Sequence, residues 1–171
     1  NKGLLLRGNV KQAQNHVDDI CYLIRKYGFM LNGNRTGFLY NSQPPFLSLM
    51  ARDVYEETHD KDWLSRVYEA ITTEHSFWMK QRISEIGLNH YDWQPMPKEK
   101  QKPFADSLRA RIGAADYGSD EEAARGLLSA GESGWDLNPR MGERSYEYVP
   151  ADLNSLMYSM EDNLFFFATE L

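Results

Sequence analysis

The sequence predicts an all-α fold, and three observations support this prediction. Apolar residues recur at steps of three and four along the long segments, which is the spacing of one face of a helix. Glycine or proline stands where these segments begin or end. The sequence also lacks the strict alternation of apolar and polar residues that is typical of a half-buried strand. With 42% hydrophobic and 26% charged residues, 171 residues suffice for a single domain with its own core.

The first long helix is predicted over residues 10–27. Its apolar positions share one face and are Val10, Ala13, Val17, Ile20, Ile24 and Tyr27. Gly28 follows the last of them, as expected of a left-handed C-terminal cap. The polar, glycine-containing stretch of residues 32–46 then predicts a long irregular loop between helices.

Two further helices joined by a short turn are predicted next. Pro44-Pro45 suits a first helical turn, so the second helix begins there and ends near His59. Asp60 or Asp62 can cap the third helix, which stops at Gly87. The apolar stripe of the third helix consists of Trp63, Val67, Ile71, Trp78 and Met79. Because the turn is short, these two helices are expected to be antiparallel neighbours.

The second half of the chain predicts shorter helices. One helix is expected after Pro103, and it runs through Ile112. Ser119 and Glu122 have the spacing of a capping box, which predicts a short helix from there to about Ser129. A last helix is predicted from residue 151 nearly to the end of the chain, because apolar residues return there at helical spacing.

Composition excludes several classes of partner. The net charge of −6 and the pI of about 5.2 offer no basic surface for a phosphate backbone, so nucleic acid is not expected to bind. No run of about 20 apolar residues predicts a membrane span. Cys21 is the single cysteine, which excludes an internal disulfide framework. These features describe a soluble domain and leave open whether it is cytoplasmic, periplasmic or secreted.

The stretch Gly131–Arg140 places an acid beside a tryptophan in a predicted loop. Its glycines and its proline argue against a regular helix or strand. An apolar wall formed by Trp135 would raise the pKa of the Asp136 carboxyl toward values useful for donating a proton. The alternative is that Asp136 caps a turn and Trp135 anchors the core, since aspartate is common in turns.

Four short motifs make the chain resemble the trehalases of glycoside hydrolase family 37. They are Asn-Gly-Asn-Arg at 32–35, Ser-Gln-Pro-Pro-Phe at 42–46, Ser-Gly-Trp-Asp at 133–136 and Asp-Leu-Asn at 152–154. Each is weak alone, but together they follow the family's order. The segment from Glu132 to Arg140 also resembles family 63 glucosidases of the same clan.

The resemblance implies a portion of an (α/α)6 barrel and an inverting hydrolysis of an α-linked glucose disaccharide such as trehalose. Asp136 falls at the position of the general acid. The resemblance further implies substrate-binding residues, which are Asn32, Arg35, Gln43, Ser133, Gly134, Trp135 and Arg140. Residues 1–171 are then expected to be one domain, the central part of a larger catalytic domain. The remainder of the barrel is its partner and carries the catalytic base. No cofactor or metal is expected.

Two departures from the family pattern bear on the substrate. Asn41 stands where the family usually has arginine before Ser-Gln-Pro-Pro. Lys102–Ala105 stands where an Arg-Pro-Glu-Ser segment is usual, and Arg35 or Arg140 could replace the missing guanidinium groups. A related α-glucosidase or mannosidase with another substrate therefore remains an alternative. A helical interaction module without chemistry is a further alternative, although no internal repeat supports it.

Overall fold

The computed structural model describes residues 1–136 and 138–171 of the chain, and their regular structure is helical. In chain order the α-helices are α1 (Lys2–Leu5), α2 (Val10–Tyr27), α3 (Leu47–Thr58), α4 (Lys61–Gln81), α5 (Lys98–Ile112), α6 (Asp120–Ser133) and α7 (Ala151–Glu170). Two 3-10 turns, Thr36–Phe38 and Ser145–Glu147, lie in the loops. The described residues contain no strand beyond an isolated bridge between Ile83 and Asn89. The all-α prediction is confirmed.

Several predicted helix ends are confirmed by local geometry. Gly28 ends α2 with φ of 83°, in the left-handed region where glycine is least strained. The Asp60 carboxylate accepts a hydrogen bond of 2.9 Å from the Trp63 amide at the start of α4, as predicted for a capping residue. Ser119 and Glu122 form the predicted capping box, with each side chain accepting from the other's backbone amide. These ends depend on neighbouring residues only, which is why the sequence predicts them.

The predicted start of α5 was wrong. The helix begins at Lys98, directly after Pro97, and Pro103 lies inside it. A proline at this position removes a single bond to the carbonyl four residues earlier, a loss that the buried side of the helix outweighs. Ala105 and Leu108 on that side are fully buried.

The predicted end of α6 was also wrong. The helix continues past Ser129 to Ser133, so the first three residues of the predicted loop Gly131–Arg140 are helical. The loop begins at Gly134, which has φ of 72°. Four hydrogen bonds to the buried carboxylate of Glu132 hold this last turn in helical form. They outweigh the low helix propensity of the adjacent Gly131.

The described chain divides into two compact units. One comprises residues 1–30, 45–81 and 151–171, and it contains α1 to α4 and α7. In this unit α2 packs on α3 and α4, while α7 packs on the same two helices. Trp63 and Trp78 of α4 are buried in its core. None of the described helices combines the length and the apolar character that crossing a lipid bilayer requires.

The second unit comprises residues 31–44 and 82–150 and is built on the pair α5 and α6. Its described apolar contacts include one cluster around Trp93, Met96, Ala124 and Leu128 and another around Ala105, Leu108 and Ala123. Gly126 of α6 lies so close to the backbone that a Cβ there would stand 2.7 Å from the Glu143 carbonyl oxygen. The packing of α5 on α6 fixes which face of α5 lies beside the loop of residues 31–44.

Candidate active site

The loop of residues 31–44 is closed by side-chain amides. The Asn32 Nδ2 donates to the carbonyl oxygens of Ser42 and Gly131, both at 3.0 Å. The Gln43 Nε2 donates to the carbonyl oxygens of Leu31 at 3.2 Å and Asn32 at 2.7 Å. Because Asn32 bonds to α6 as well as to its own loop, it fixes the loop against the helix end that precedes Asp136.

Glu132 is the buried anchor of this region. Its carboxylate is completely buried and forms a bidentate ion pair with Arg82, at 2.7 and 2.9 Å. The Ser42 amide donates to the same carboxylate at 2.7 Å and the Asp92 amide at 3.0 Å. Four charge-assisted donors offset the desolvation of this carboxylate. They join α6 to the two loops that contain Ser42 and Asp92.

The turn after α6 presents Asp136. The Ser133 hydroxyl donates to the Ala130 carbonyl oxygen at 2.7 Å and accepts from the Trp135 amide at 3.0 Å. Gly134 takes the left-handed conformation that ends the helix. The chain therefore leaves α6 sharply, and Asp136 comes back beside the last helical turn. Its Oδ1 lies 3.7 Å from the position that a Cβ on Gly131 would take.

Asp136 borders a cavity of about 450 Å³ in this unit. This volume lies within the range of small-molecule sites and is large enough for a disaccharide. The lining combines aromatic and aliphatic groups with a few polar ones. Its residues are Asn32, Gly37, Phe38, Asn41, Pro103, Phe104, Ser107, Arg111, Leu127, Leu128, Gly131 and Asp136.

Comparison with known proteins assigns the family. A family model described as Trehalase matches residues 1–171. The chain belongs to the trehalase family. It is 30% identical to the probable trehalase of Oryza sativa subsp. japonica over 98% of its own length and 32% of that protein. It is 31% identical to the trehalase of Tenebrio molitor, over 91% of the chain and 29% of that protein.

A solved structure agrees with this assignment. Neutral trehalase Nth1 from Saccharomyces cerevisiae matches 99% of the chain with a TM-score of 0.79 and 25% identity, and 36% of the yeast chain is covered. The match confirms the predicted fold class, a portion of an (α/α)6 barrel of the six-hairpin glycosidase type. This trehalase-family chain spans about a third of the length of the curated relatives it matches.

The structure brings two of the predicted site residues to the cavity, Asn32 and Asp136. The other predicted residues of this trehalase-family site are not among its lining, namely Arg35, Gln43, Ser133, Gly134, Trp135 and Arg140. Gln43 and Ser133 direct their donors to backbone carbonyls and so brace the loop and the helix end. Arg35 is exposed.

Trp135 and Arg140 contact each other at the surface. The indole is 38% exposed, and the Arg140 guanidinium lies 5.0 Å from its ring centroid, in the geometry of a cation–π contact. The apolar part of the described cavity lining includes Phe38, Phe104 and Leu127. The role of Trp135 as an apolar wall for Asp136 stays a prediction.

Asn41 departs from the pattern of the trehalase family and is part of the cavity lining. The residue is 3% exposed, and its Oδ1 has no hydrogen-bond partner among the described residues. A buried acceptor left unpaired costs about 1–3 kcal/mol. Its Nδ2 lies 3.0 Å from the position of a Cβ on Gly131, so glycine at 131 leaves room for this amide.

Several lining residues are not among the predicted site residues. Phe38, Phe104, Ser107 and Arg111 belong to none of the four motifs. Three of them, at 104, 107 and 111, have helical spacing, but this signal identifies a face of α5 only once its packing partner is known. Glu132 lies in the stretch that the sequence predicts as a loop, and its partner Arg82 is 50 residues away in the chain.

The polar groups of the cavity suit a neutral, hydroxyl-rich ligand. Amides, a hydroxyl, a guanidinium and a carboxylate can donate and accept hydrogen bonds, while the two aromatic rings offer apolar surface to a sugar ring. Among residues 1–136 and 138–171, no group of three or more His, Cys, Asp or Glu side chains is arranged to hold a metal ion.

Proposed function

We propose that this protein is an inverting glycoside hydrolase that acts on an α-linked glucose disaccharide such as trehalose. The observation that carries the proposal is that Asp136, at the position of the general acid, borders a cavity of about 450 Å³ beside Asn32. Membership of the trehalase family supports the same activity. The names of the relatives support trehalose as the first substrate to test.

In the proposed reaction Asp136 donates its proton to the glycosidic oxygen as the bond from that oxygen to the anomeric carbon breaks. A water molecule attacks the anomeric carbon from the opposite face and loses a proton to a second carboxylate. In inverting enzymes this second carboxylate lies about 6.5–9.5 Å from the acid, which leaves room for the water. We propose that the base lies outside residues 1–171.

We further propose that residues 1–171 form the central part of a larger (α/α)6 catalytic domain. The chain covers about a third of each curated relative, and this proportion supports the proposal. The proposed substrate contacts are Asn32, Arg35, Gln43, Ser133, Gly134, Trp135 and Arg140. Of these, Asn32 has the strongest support, because it borders the cavity. The rest of the barrel is the proposed source of the remaining contacts.

The presence of Asn41 favours a second candidate substrate. Asparagine presents one amide to the cavity where the family usually has a guanidinium, so the set of hydroxyls that are recognised can differ. Another α-linked glucoside or mannoside is therefore the alternative. Release of free sugar from trehalose, maltose and an α-linked mannobiose separates the two substrates.

The experiment uses the full-length protein as it is expressed, incubated with trehalose. We expect Asp136→Asn to lower kcat by about 10²–10⁴-fold, which is the usual contribution of a general acid. Asp116→Asn is the matched control, because Asp116 is an exposed aspartate of the same unit outside the cavity lining. Near-normal turnover by Asp136→Asn with the fold intact would defeat the proposal.

The stereochemistry provides an independent test. Inversion at one anomeric carbon of α,α-trehalose releases one β-glucose and one α-glucose, whereas retention releases two α-glucose molecules. Proton NMR of the anomeric signals in the first minutes, before mutarotation, distinguishes these outcomes. Equal α and β signals are expected.

A further inference from the structure

One stripe of α5 borders the cavity while the neighbouring stripe packs on α6. Ala105 and Leu108 are buried against Ala123 of α6, and this contact fixes the rotation of the helix about its axis. Phe104, Ser107 and Arg111 follow at steps of three and four and line the cavity. Packing of α5 on α6 therefore decides which arginine of this helix faces the site.

Arg111 differs from four other arginines of this unit. Arg82, Arg109, Arg125 and Arg144 are each in an ion pair, with Glu132, Asp120, Asp92 and Glu147 respectively. Arg111 has neither an ion pair nor a hydrogen bond with any residue in 1–136 and 138–171. Its five N–H donors are thus available to a ligand in the cavity.

Arg111 also gives the cavity its charge balance. Among the described lining residues it is the one cation, and Asp136 is the one carboxylate. No ion pair joins these two within the described chain, so the donors of the guanidinium are not taken up by the proposed acid. A planar guanidinium presents two parallel donors, a geometry that fits two neighbouring oxygen atoms such as the vicinal hydroxyls of a sugar ring.

We propose that Arg111 is a substrate-binding residue of this cavity, which donates to vicinal hydroxyls of the sugar whose glycosidic oxygen Asp136 protonates. This inference rests on the proposed function and adds a residue that none of the sequence motifs contains. Ser107, one helical turn before Arg111, offers a neighbouring hydroxyl to the same sugar. Because Phe104, Ser107 and Arg111 share one face of α5 and line the cavity, α5 is the substrate-binding helix of this proposal.

The test measures trehalose binding by calorimetry, on an Asp136→Asn background that does not consume the sugar, and hydrolysis by glucose release with Asp136 intact, both with the full-length protein. Loss of a charged hydrogen bond costs about 1.5–3 kcal/mol, so Arg111→Gln is expected to raise Kd and KM by about tenfold or more. The expected effect on kcat is smaller, because the ring hydroxyls are bound in both ground state and transition state. Arg111→Lys keeps the charge but loses the paired donors. Its Kd and KM are expected to lie between those measured with arginine and with glutamine at position 111.

Lys98→Gln is the matched control, since it removes one positive charge from the exposed start of the same helix outside the cavity lining. It is expected to leave Kd and KM unchanged. Circular dichroism and Tm verify that each variant is folded. On that background, a Kd for Arg111→Gln within twofold of the value with Arg111 present would overturn the inference, even if trehalose is hydrolysed by the wild-type protein. Binding that depends on Arg111 without hydrolysis of any α-glucoside would support the inference and contradict the proposed function.

Discussion

Glu132 and Arg82 form a fully buried, bidentate ion pair whose carboxylate also accepts from the amides of Ser42 and Asp92. Two loops and the end of α6 thus converge on one side chain. Asp136 follows Glu132 by four residues and Asn41 directly precedes Ser42, so this ion pair positions two groups of the cavity. The arrangement gives the pair a role in both folding and the site.

We predict that Arg82→Met destabilises the protein by about 3–5 kcal/mol, because it leaves the Glu132 carboxylate buried without its cation. The measurement is the free energy of unfolding in urea. Replacing both partners by apolar residues, Arg82→Met with Glu132→Leu, is expected to recover part of this loss. Arg144→Gln is the control, since its ion pair with Glu147 is exposed and is expected to change stability by about 0–1 kcal/mol. Equal effects of Arg82→Met and Arg144→Gln would contradict the anchoring role.

We predict that Asn32→Asp loosens the loop of residues 31–44 and weakens the proposed binding of trehalose roughly tenfold. The substitution preserves shape but removes the two donors to the Ser42 and Gly131 carbonyl oxygens and places a negative charge against them. Hydrogen exchange of the peptides that cover this loop should accelerate. Asn34→Asp adds the same charge at an exposed position of the same loop and should leave exchange slow. Similar exchange in both variants would show that the Asn32 amide does not hold the loop.

We predict that Gly126→Ala destabilises the unit built on α5 and α6 by about 1–3 kcal/mol. Alanine is normally better than glycine inside a helix by about 0.5–1 kcal/mol, but here its Cβ would stand 2.7 Å from the Glu143 carbonyl oxygen. Because the clashing atom is backbone, α6 or the loop must move. Gly3→Ala is the control, with no atom within 4 Å of its added Cβ. A rise in Tm for Gly126→Ala would contradict this prediction. It would indicate that the loop containing Glu143 moves away from the new Cβ with little loss of stability.

The sequence predicts those features of the fold that depend on neighbouring residues. Helical periodicity, the cap at Gly28 and the capping box of Ser119 with Glu122 are all local, and the structure contains them. The end of α6 was predicted wrongly because Glu132 is held by Arg82 and Ser42, which lie 50 and 90 residues away. No window along the chain contains that information.

The same distinction applies to the candidate site. Asn32 and Asp136 stand in recognisable motifs, and the structure brings both to one cavity. Phe104, Ser107 and Arg111 reach it through the packing of α5 on α6, which periodicity in the sequence does not reveal. Gln43 has the right residue type for a sugar ligand, but its amide donors serve the backbone of the loop. Residue type therefore predicts a chemical capacity, and the tertiary contacts decide how it is used.

The last prediction concerns Glu74, an acid in the core of the first unit. It is 1% exposed, its Oε2 has no hydrogen-bond partner among the described residues, and burial raises the pKa of its carboxyl to about 8. A carboxyl whose pKa is higher in the folded state binds more protons there than in the unfolded chain between about pH 4.5 and 8. Its contribution to stability is therefore complete below about pH 4.5. That contribution is lost as the pH rises toward 8, at up to about 1.4 kcal/mol per pH unit.

We predict that Glu74→Gln has nearly wild-type stability at pH 4.5 and becomes progressively more stable than wild type as the pH rises, with the difference levelling off above pH 8. The reason is that glutamine matches the shape of the neutral acid and cannot ionise. The measurement is the difference in unfolding free energy between the two proteins, because titrations of all other groups cancel in it. Glu69→Gln, five residues earlier on the exposed side of α4, should give a difference that does not change with pH. If the Glu74→Gln difference were also flat between pH 5 and 8, the acid would have to be solvated or paired in the folded protein.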